Sequence, residues 1–178
     1  LKKGLVSADT PERIILLMNE LDIDESDRKV VSYALKKKEV SKKHAISLCL
    51  PNGKIVTGRE TELLSPASSL ILNAIKALTN IPDDVYLISP AVLEPILKYK
   101  STTIQNYNYL LDLNEVLIAL NICSVTNPII EKALDNLKKL NNCEAHSTYI
   151  IEGNDLNVLK SLRINVTSEP QFYFEDLY

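Results

Sequence analysis

Soft metal donors are scarce in this sequence, which holds two histidines and three cysteines in 178 residues. A zinc site takes three or four converging ligands. His44, His146, Cys49, Cys123 and Cys143 are too few and too scattered to supply them, so no metal and no cofactor is expected. An odd cysteine count at unrelated spacings does not make a disulfide framework and fits a reducing cytoplasm. Glycine is thin as well, at four residues. Gly53-Lys54 lacks the spaced upstream glycine and the following Ser or Thr of a phosphate loop, and no Gly-x-Ser-x-Gly, His-Glu-x-x-His or Walker sequence occurs. No apolar run approaches the roughly 18 residues of a membrane span, and no signal peptide opens the chain. There is no basic excess either: 20 Lys and Arg against 23 Asp and Glu give a net charge of −3, which argues against a dedicated nucleic-acid binder. The opening residue is Leu1, not Met, so the chain is expected to be a piece of a longer, cytoplasmic polypeptide.

What is present is the composition of a globular domain, 46% hydrophobic and 24% charged. The chain is organised around residues 51–82. Ser65 stands where an N-cap should, Pro66 occupies the first helical position, and Ala67, Leu70, Ile71, Ala74, Ile75 and Leu78 make one apolar stripe before Asn80 and Pro82 end it. Upstream, Thr10-Pro11-Glu12 opens one helix and Asp24 or Ser26 a second, whose basic end (Lys36 to Lys38, Lys42, Lys43) reads as a solvated last turn or as an anion patch. Residues 1–43 are therefore expected as a helical pair and residues 44–178 as an α/β layered domain.

Residues 44–50 alternate, Asn52-Gly53 signals a hairpin, and Ile55 to Thr57 is the return strand. Further strands are expected at 85–88, 147–151 and 164–167. Helices are expected from Ser89-Pro90 (with Pro95 inside), from Asp112 (the most buried one), from Asn127-Pro128 and from Asn154, which would cap it. Strands separated by helices imply right-handed parallel crossovers. The result is α/β: a mixed, mainly parallel sheet of about five strands in an α-β-α arrangement, with the first hairpin strand running against the rest.

Ligands collect beyond the carboxyl ends of parallel strands, where helix N-termini point. Strand 55–57 leads through Gly58 and Arg59 to Ser65, Ser68 and Ser69, and strand 85–88 leads to Ser89. These six are the candidate ligand-binding residues, with N–H groups, hydroxyls and a guanidinium suited to an anion; helix capping alone is the competing explanation. Cys143 reads as a small buried hydrophobe and His146 as a hydrogen-bonded strand residue. The Tyr99–Tyr109 stretch reads as a surface loop that covers either the core or a ligand or partner.

The runs TGRETELLSPASSLILNAIKAL, LISPAVLEPI, NEVLIALNICSVTNP and CEAHSTYII…INVTSEP resemble the C-terminal part of a bacterial family, domain of unknown function 1846, from about Ala8 to Phe172. The resemblance implies a longer protein whose N-terminal portion is a partner of this part, and a layered topology similar to cytidine deaminases. The deaminase zinc ligands have no counterpart here. Family members typically carry Thr-Gly-Lys where Thr57-Gly58-Arg59 stands, and the label "ATP-dependent peptidase" that some carry finds no support in these residues. Two functions stay open: part of a site for a small anionic compound (phosphate, nucleotide or carboxylate), or a structural domain that packs or forms a homo-oligomer. Neither involves nucleic acid or membrane.

Overall fold

Turn chemistry fixes the first hairpin. Strands β1 (Ala45–Cys49) and β2 (Ile55–Arg59) are joined by the five residues 50–54. The Gly53 N–H donates to the Leu50 carbonyl at 2.8 Å and the Leu50 N–H to the Lys54 carbonyl at 2.8 Å. Gly53 takes φ +81°, the left-handed region that glycine enters without steric cost. Asn52 contributes its side chain, whose Oδ1 accepts the Lys54 N–H at 3.0 Å.

The computed structural model describes residues 4, 7, 9–103 and 109–174. Among them lie seven α-helices and one four-stranded mixed sheet, completed by β3 (Glu144–Ser147) and β4 (Asn165–Ser168) in the order β2-β1-β3-β4. As expected, β1 runs antiparallel to both neighbours, so β2, β3 and β4 share one direction.

The expected fifth strand is absent among the described residues. Residues 85–88 form bends with no strand partner; Leu87 and Ile88 are buried in succession while Tyr86 is exposed. A four-residue apolar run marks burial, and its periodicity alone does not decide between a strand and a bend. The third strand also lies earlier than its apolar run suggests. Past Ser147 the Thr148 N–H still donates to the Ala45 carbonyl at 2.9 Å, and the chain then departs, the Tyr149 N–H turning to the Ser147 hydroxyl at 3.2 Å.

The helices are α1 (Thr10–Glu20), α2 (Lys29–Ser41), α3 (Pro66–Thr79), α4 (Pro90–Lys98), α5 (Leu113–Ser124), α6 (Pro128–Asp135) and α7 (Gly153–Ser161). The two members of the expected helical pair differ in packing. Helix α2 covers one face of β1, β2 and β3 through Val30, Val31 and Ala34, whereas α1 buries no residue. On the other sheet face Ile46, Leu48, Val56 and Ala145 belong to the core, where α3 packs on β2 and β1 with α5 and α6 against it. Helix α3, not α5, is the most buried, since Ile118 and Ile122 of α5 face outward. Helix α4 starts at Pro90 and continues through Pro95, then widens into a π-helical turn at Tyr99–Thr103. No helix among the described residues is long and apolar enough to cross a membrane.

Candidate functional site

The carboxyl ends of β2, β3 and β4 lie along one sheet edge, and the segments leaving that edge carry helix N-termini back to it. Leu64 and Leu111 form a parallel bridge: the Ser65 N–H donates to the Leu111 carbonyl at 3.1 Å, and the Leu111 N–H to the Leu63 carbonyl at 2.7 Å. The bridge sets Ser65 and Asp112, the N-caps of α3 and α5, side by side. Ser65 Oγ accepts the Ser68 N–H at 3.1 Å, and the Ser68 hydroxyl donates to the Leu111 carbonyl at 2.9 Å. Asp112 Oδ1 accepts the Glu115 N–H at 2.9 Å while Glu115 Oε2 accepts the Asp112 N–H at 2.9 Å, a full capping box. Helix α7 is tied to the same place. Asn154 Nδ2 donates to Asp112 Oδ2 at 2.8 Å, and Asp155 Oδ1 accepts the Leu113 N–H at 2.7 Å. Asn154 is thus a cross-helix strut rather than the cap of its own helix, whose N-cap position is Glu152.

Between these N-termini opens a cleft of about 570 Å³, walled by Ser65, Asp112, Tyr149, Asn154, Asp155 and Tyr173. Its polar groups are carboxylates, hydroxyls and an amide, and no Lys or Arg lines it. Burial raises the Asp155 pKa, partly countered by the Leu113 N–H and the Ser65 hydroxyl, while the charges of Asp112 and Glu115 push it further up. Tyr149 is 3% exposed, and its hydroxyl is buried with no hydrogen-bond partner among the described residues. Burial, then the charge of Asp155, lifts its pKa well above the ordinary tyrosine value. The rings of His44, Tyr149 and Tyr173 cluster with centroids 4.7–5.0 Å apart. The Tyr173 hydroxyl donates to Glu60 Oε2, and Glu60 Oε1 pairs with Lys43 at 3.2 Å. Two smaller clefts adjoin. One, of about 470 Å³, contains Lys43, Arg59 and Tyr109 and shares Leu110 with the main cleft; the other, of about 280 Å³, contains Lys38, Lys42 and Lys43 and shares Tyr173.

The structure brings together only some of the residues singled out in the sequence. Ser65 and Ser68 meet at the Leu111 carbonyl, with Ser68 fully buried. Gly58 lies under α3: a Cβ there would stand 2.2 Å from the Leu70 nitrogen and 2.5 Å from the Pro66 oxygen, so glycine permits the close approach of helix and strand. Arg59 is exposed at the end of β2, its Nη1 donating to the Glu60 carbonyl at 3.3 Å. Ser69 faces a separate groove of about 680 Å³ beside β2, shared with Lys37, Arg59 and Lys76. Ser89 caps α4 by accepting the Ala91 N–H at 3.2 Å, and its own N–H meets Cys123 Sγ at 3.4 Å. That contact is at the far end of α5, about 15 Å along the helix from Leu113 at 1.5 Å per residue.

Tyr149, Asp112 and Asp155 carry the cleft without having been singled out for it. The available signal was an acid in the first turn of the helix that follows the third strand. Cys143 and His146 do not converge on each other. The thiol is buried, which raises its pKa, and both imidazole nitrogens are engaged, Nδ1 with Thr167 Oγ1 at 2.9 Å and Nε2 with Glu169 Oε1 at 3.0 Å. Among the described residues no three His, Cys, Asp or Glu side chains gather into a metal-ligand group. Residues 104–108 of the Tyr99–Tyr109 stretch lie outside the described residues. At its base the buried Lys100 ammonium donates to the Leu110 carbonyl and to Glu115 Oε2, both at 2.7 Å.

Comparison with known proteins agrees with the family suggested by the sequence. The family described as "Domain of unknown function DUF1846, C-terminal" matches residues 26–178. A UPF0371 protein of Clostridium tetani (strain Massachusetts / E88) is 40% identical over 185 residues, covering 99% of this chain and 37% of that protein. UPF0371 proteins of Clostridium botulinum (strain Langeland) and Fusobacterium nucleatum subsp. nucleatum are each 42% identical, again over 99% of this chain and 37% of theirs. The chain thus spans little more than a third of the length of these relatives, and over residues 26–178 it belongs to the DUF1846 family as its C-terminal domain.

Proposed function

We propose that this chain is a domain of a larger bacterial cytosolic protein and forms part of a small-ligand site at the carboxyl edge of its sheet, completed by portions of the polypeptide beyond it. The observation that carries this reading is the cleft where the N-termini of α3, α5 and α7 converge over the buried, unpartnered Tyr149 hydroxyl. The anionic group of the ligand, a phosphate, nucleotide phosphate or carboxylate, goes to Arg59 and Lys43 in the adjoining clefts, where Glu60 and Glu62 also lie, because the first turn of α3 is buried and sealed by the Leu111 carbonyl. Ser65 and Ser68 then act by fixing the cleft wall rather than by touching the anion. A strand order with the first strand reversed between its neighbours supports the deaminase-like layering.

Calorimetric titration of the chain with phosphate, 5′-AMP and citrate tests the proposal. A few exposed cations support a Kd near the millimolar scale, about −4.1 kcal/mol. Arg59→Ala is expected to weaken binding of all three anions, and Ser65→Ala to weaken it indirectly while lowering stability. Anion binding that is unchanged in Arg59→Ala and in Lys43→Ala would remove these adjoining clefts from the site.

A second reading, a packing or oligomerisation domain, is favoured by a different observation. Ile14, Ile15, Leu16 and Leu17 of α1 are each more than half exposed.

A further inference from the structure

We infer that the outer edge of β2 docks an extended peptide segment of a partner protein, one that alternates acidic and apolar side chains and joins the sheet as a fifth strand. β2 ends the strand order, so one of its sides carries no ladder. The hydrogen bonds at the two ends of the hairpin tell which groups lie on that side. The Leu50 N–H donates to the Lys54 carbonyl at 2.8 Å, and the Glu60 N–H to the His44 carbonyl at 2.9 Å. Bonded and unbonded pairs alternate along an antiparallel ladder, so Val56 and Gly58 bond to β1 while Ile55, Thr57 and Arg59 turn outward. The Thr57 carbonyl agrees, since it accepts Asn73 Nδ2 of α3 at 2.8 Å. The N–H groups of all three residues, and the carbonyls of Ile55 and Arg59, have no hydrogen-bond partner among the described residues.

A bare edge is only a template for pairing; the groove of about 680 Å³ along it sets what pairs there. Lys37 of α2 stands on one side of this groove, and Leu72 and Lys76 of α3 stand on the other. Because Gly58 lies under α3, the Thr57 and Arg59 side chains point to the α2 face. An added strand therefore sends alternate side chains toward Lys37 and Arg59, and the intervening ones toward Leu72 and the 85–88 bend. Tyr86 of that bend lines the groove and is 90% exposed, an uncovered ring for an apolar side chain to meet. The charge is of one sign: Lys37, Arg59 and Lys76 face Glu62 as the one acid of the groove, on a chain of net charge −3. The continuation past Lys76 adds one residue of each sign, Lys54 and Asp83. Glu60 is engaged elsewhere, with Lys43 and the Tyr173 hydroxyl. A second copy would set these cations against their own images, which opposes pairing of β2 with itself.

The test is amide hydrogen exchange of the chain, read by NMR, with a capped Thr-Glu-Val-Glu-Leu-Glu peptide and with its counterpart carrying lysine for each glutamate. In the free chain the Val56, Gly58 and Glu60 amides are expected to be protected and those of Ile55, Thr57 and Arg59 to exchange freely. The acidic peptide is expected to slow the second set at least tenfold and to bind at least tenfold more tightly than the lysine peptide. Lys37→Glu combined with Lys76→Glu should reverse that preference; both positions lie outside the anion site proposed above. Thr57→Pro removes an outward N–H and no ladder bond, so it should abolish peptide binding while Gly58 and Glu60 stay protected. Equal affinity for the two peptides, binding that leaves the outward amides unprotected, or no binding at millimolar peptide overturns the proposal. Protection of those amides without peptide also overturns it: if it grows with chain concentration the occupant is a second copy, and if it appears only in a longer form of the polypeptide the occupant is its own chain.

Discussion

Single residues at the sheet edge answer to packing and to proton balance before they answer to any ligand. Gly58 is the plainest case, because the atoms a Cβ would strike, the Leu70 nitrogen at 2.2 Å and the Pro66 oxygen at 2.5 Å, are helix backbone and cannot rotate away. Gly58→Ala is expected to lift α3 from β2 and to cost about 1–3 kcal/mol or more, the range for overpacked cores. Urea denaturation reads that cost directly, and a midpoint within error of the parent would refute the close-packing role. His146 carries a pH prediction. Burial lowers its pKa from 6.5 against the opposing pull of Glu169. A depressed folded value means that the unfolded chain binds the proton first, so the contribution is present above 6.5 and is lost as pH falls through the folded value. Thermal melts between pH 8 and 5 should show the parent losing stability faster than His146→Gln below about pH 6.5.

At the level of elements, the π-helical turn that follows α4 is locked to α5 by one ion pair that neither element predicts alone. Lys100 is 5% exposed and meets both Glu115 and the Leu110 carbonyl, while Glu115 also closes the Asp112 capping box. Removing one partner leaves a buried charge without compensation. Glu115→Ala, which strands the more buried Lys100 ammonium, is therefore expected to cost about 3–5 kcal/mol, whereas Lys100→Met should cost much less, because the Glu115 carboxylate it leaves is 27% exposed and keeps the Asp112 N–H. Chemical denaturation of the two variants separates them, and equal losses would mean that the pair matters only as packing. The Leu64–Leu111 bridge has the same character. It aligns the N-termini of α3 and α5, which lie far apart in the sequence, so breaking it would displace two caps at once.

For the whole molecule, the uneven use of apolar residues is the main constraint. The sheet, α3, α5, α6 and α7 share a continuous core and α2 covers the opposite sheet face, yet α1 presents Ile14, Ile15, Leu16 and Leu17 to solvent with nothing buried. The double variant Ile14→Glu, Leu17→Glu is expected to shift stability by no more than about 0.5 kcal/mol, as exposed substitutions do. It should also abolish any self-association of the chain. Light scattering and thermal melts of parent and variant check both halves; a large drop in melting temperature would show that the face packs within this chain after all.

Local chemistry determined what lies within one element. Ser65-Pro66 and Asn80 bounded α3, Asn52-Gly53 placed the hairpin, and Asp112 with Glu115 capped α5, because a cap or a turn needs partners only a few residues away. The reversal of β1 was legible too, since a tight hairpin followed by helical crossovers allows little else. Tertiary structure alone decided that residues 85–88 are a bend, that Gly58 serves packing, that Ser89 lies at the far end of α5, and that Tyr149 and Asp155 share a cleft with Ser65. Those outcomes depend on which helix lands on which strand and how closely. The packing of surfaces distant in the chain sets that distance, and no periodicity within a segment carries it.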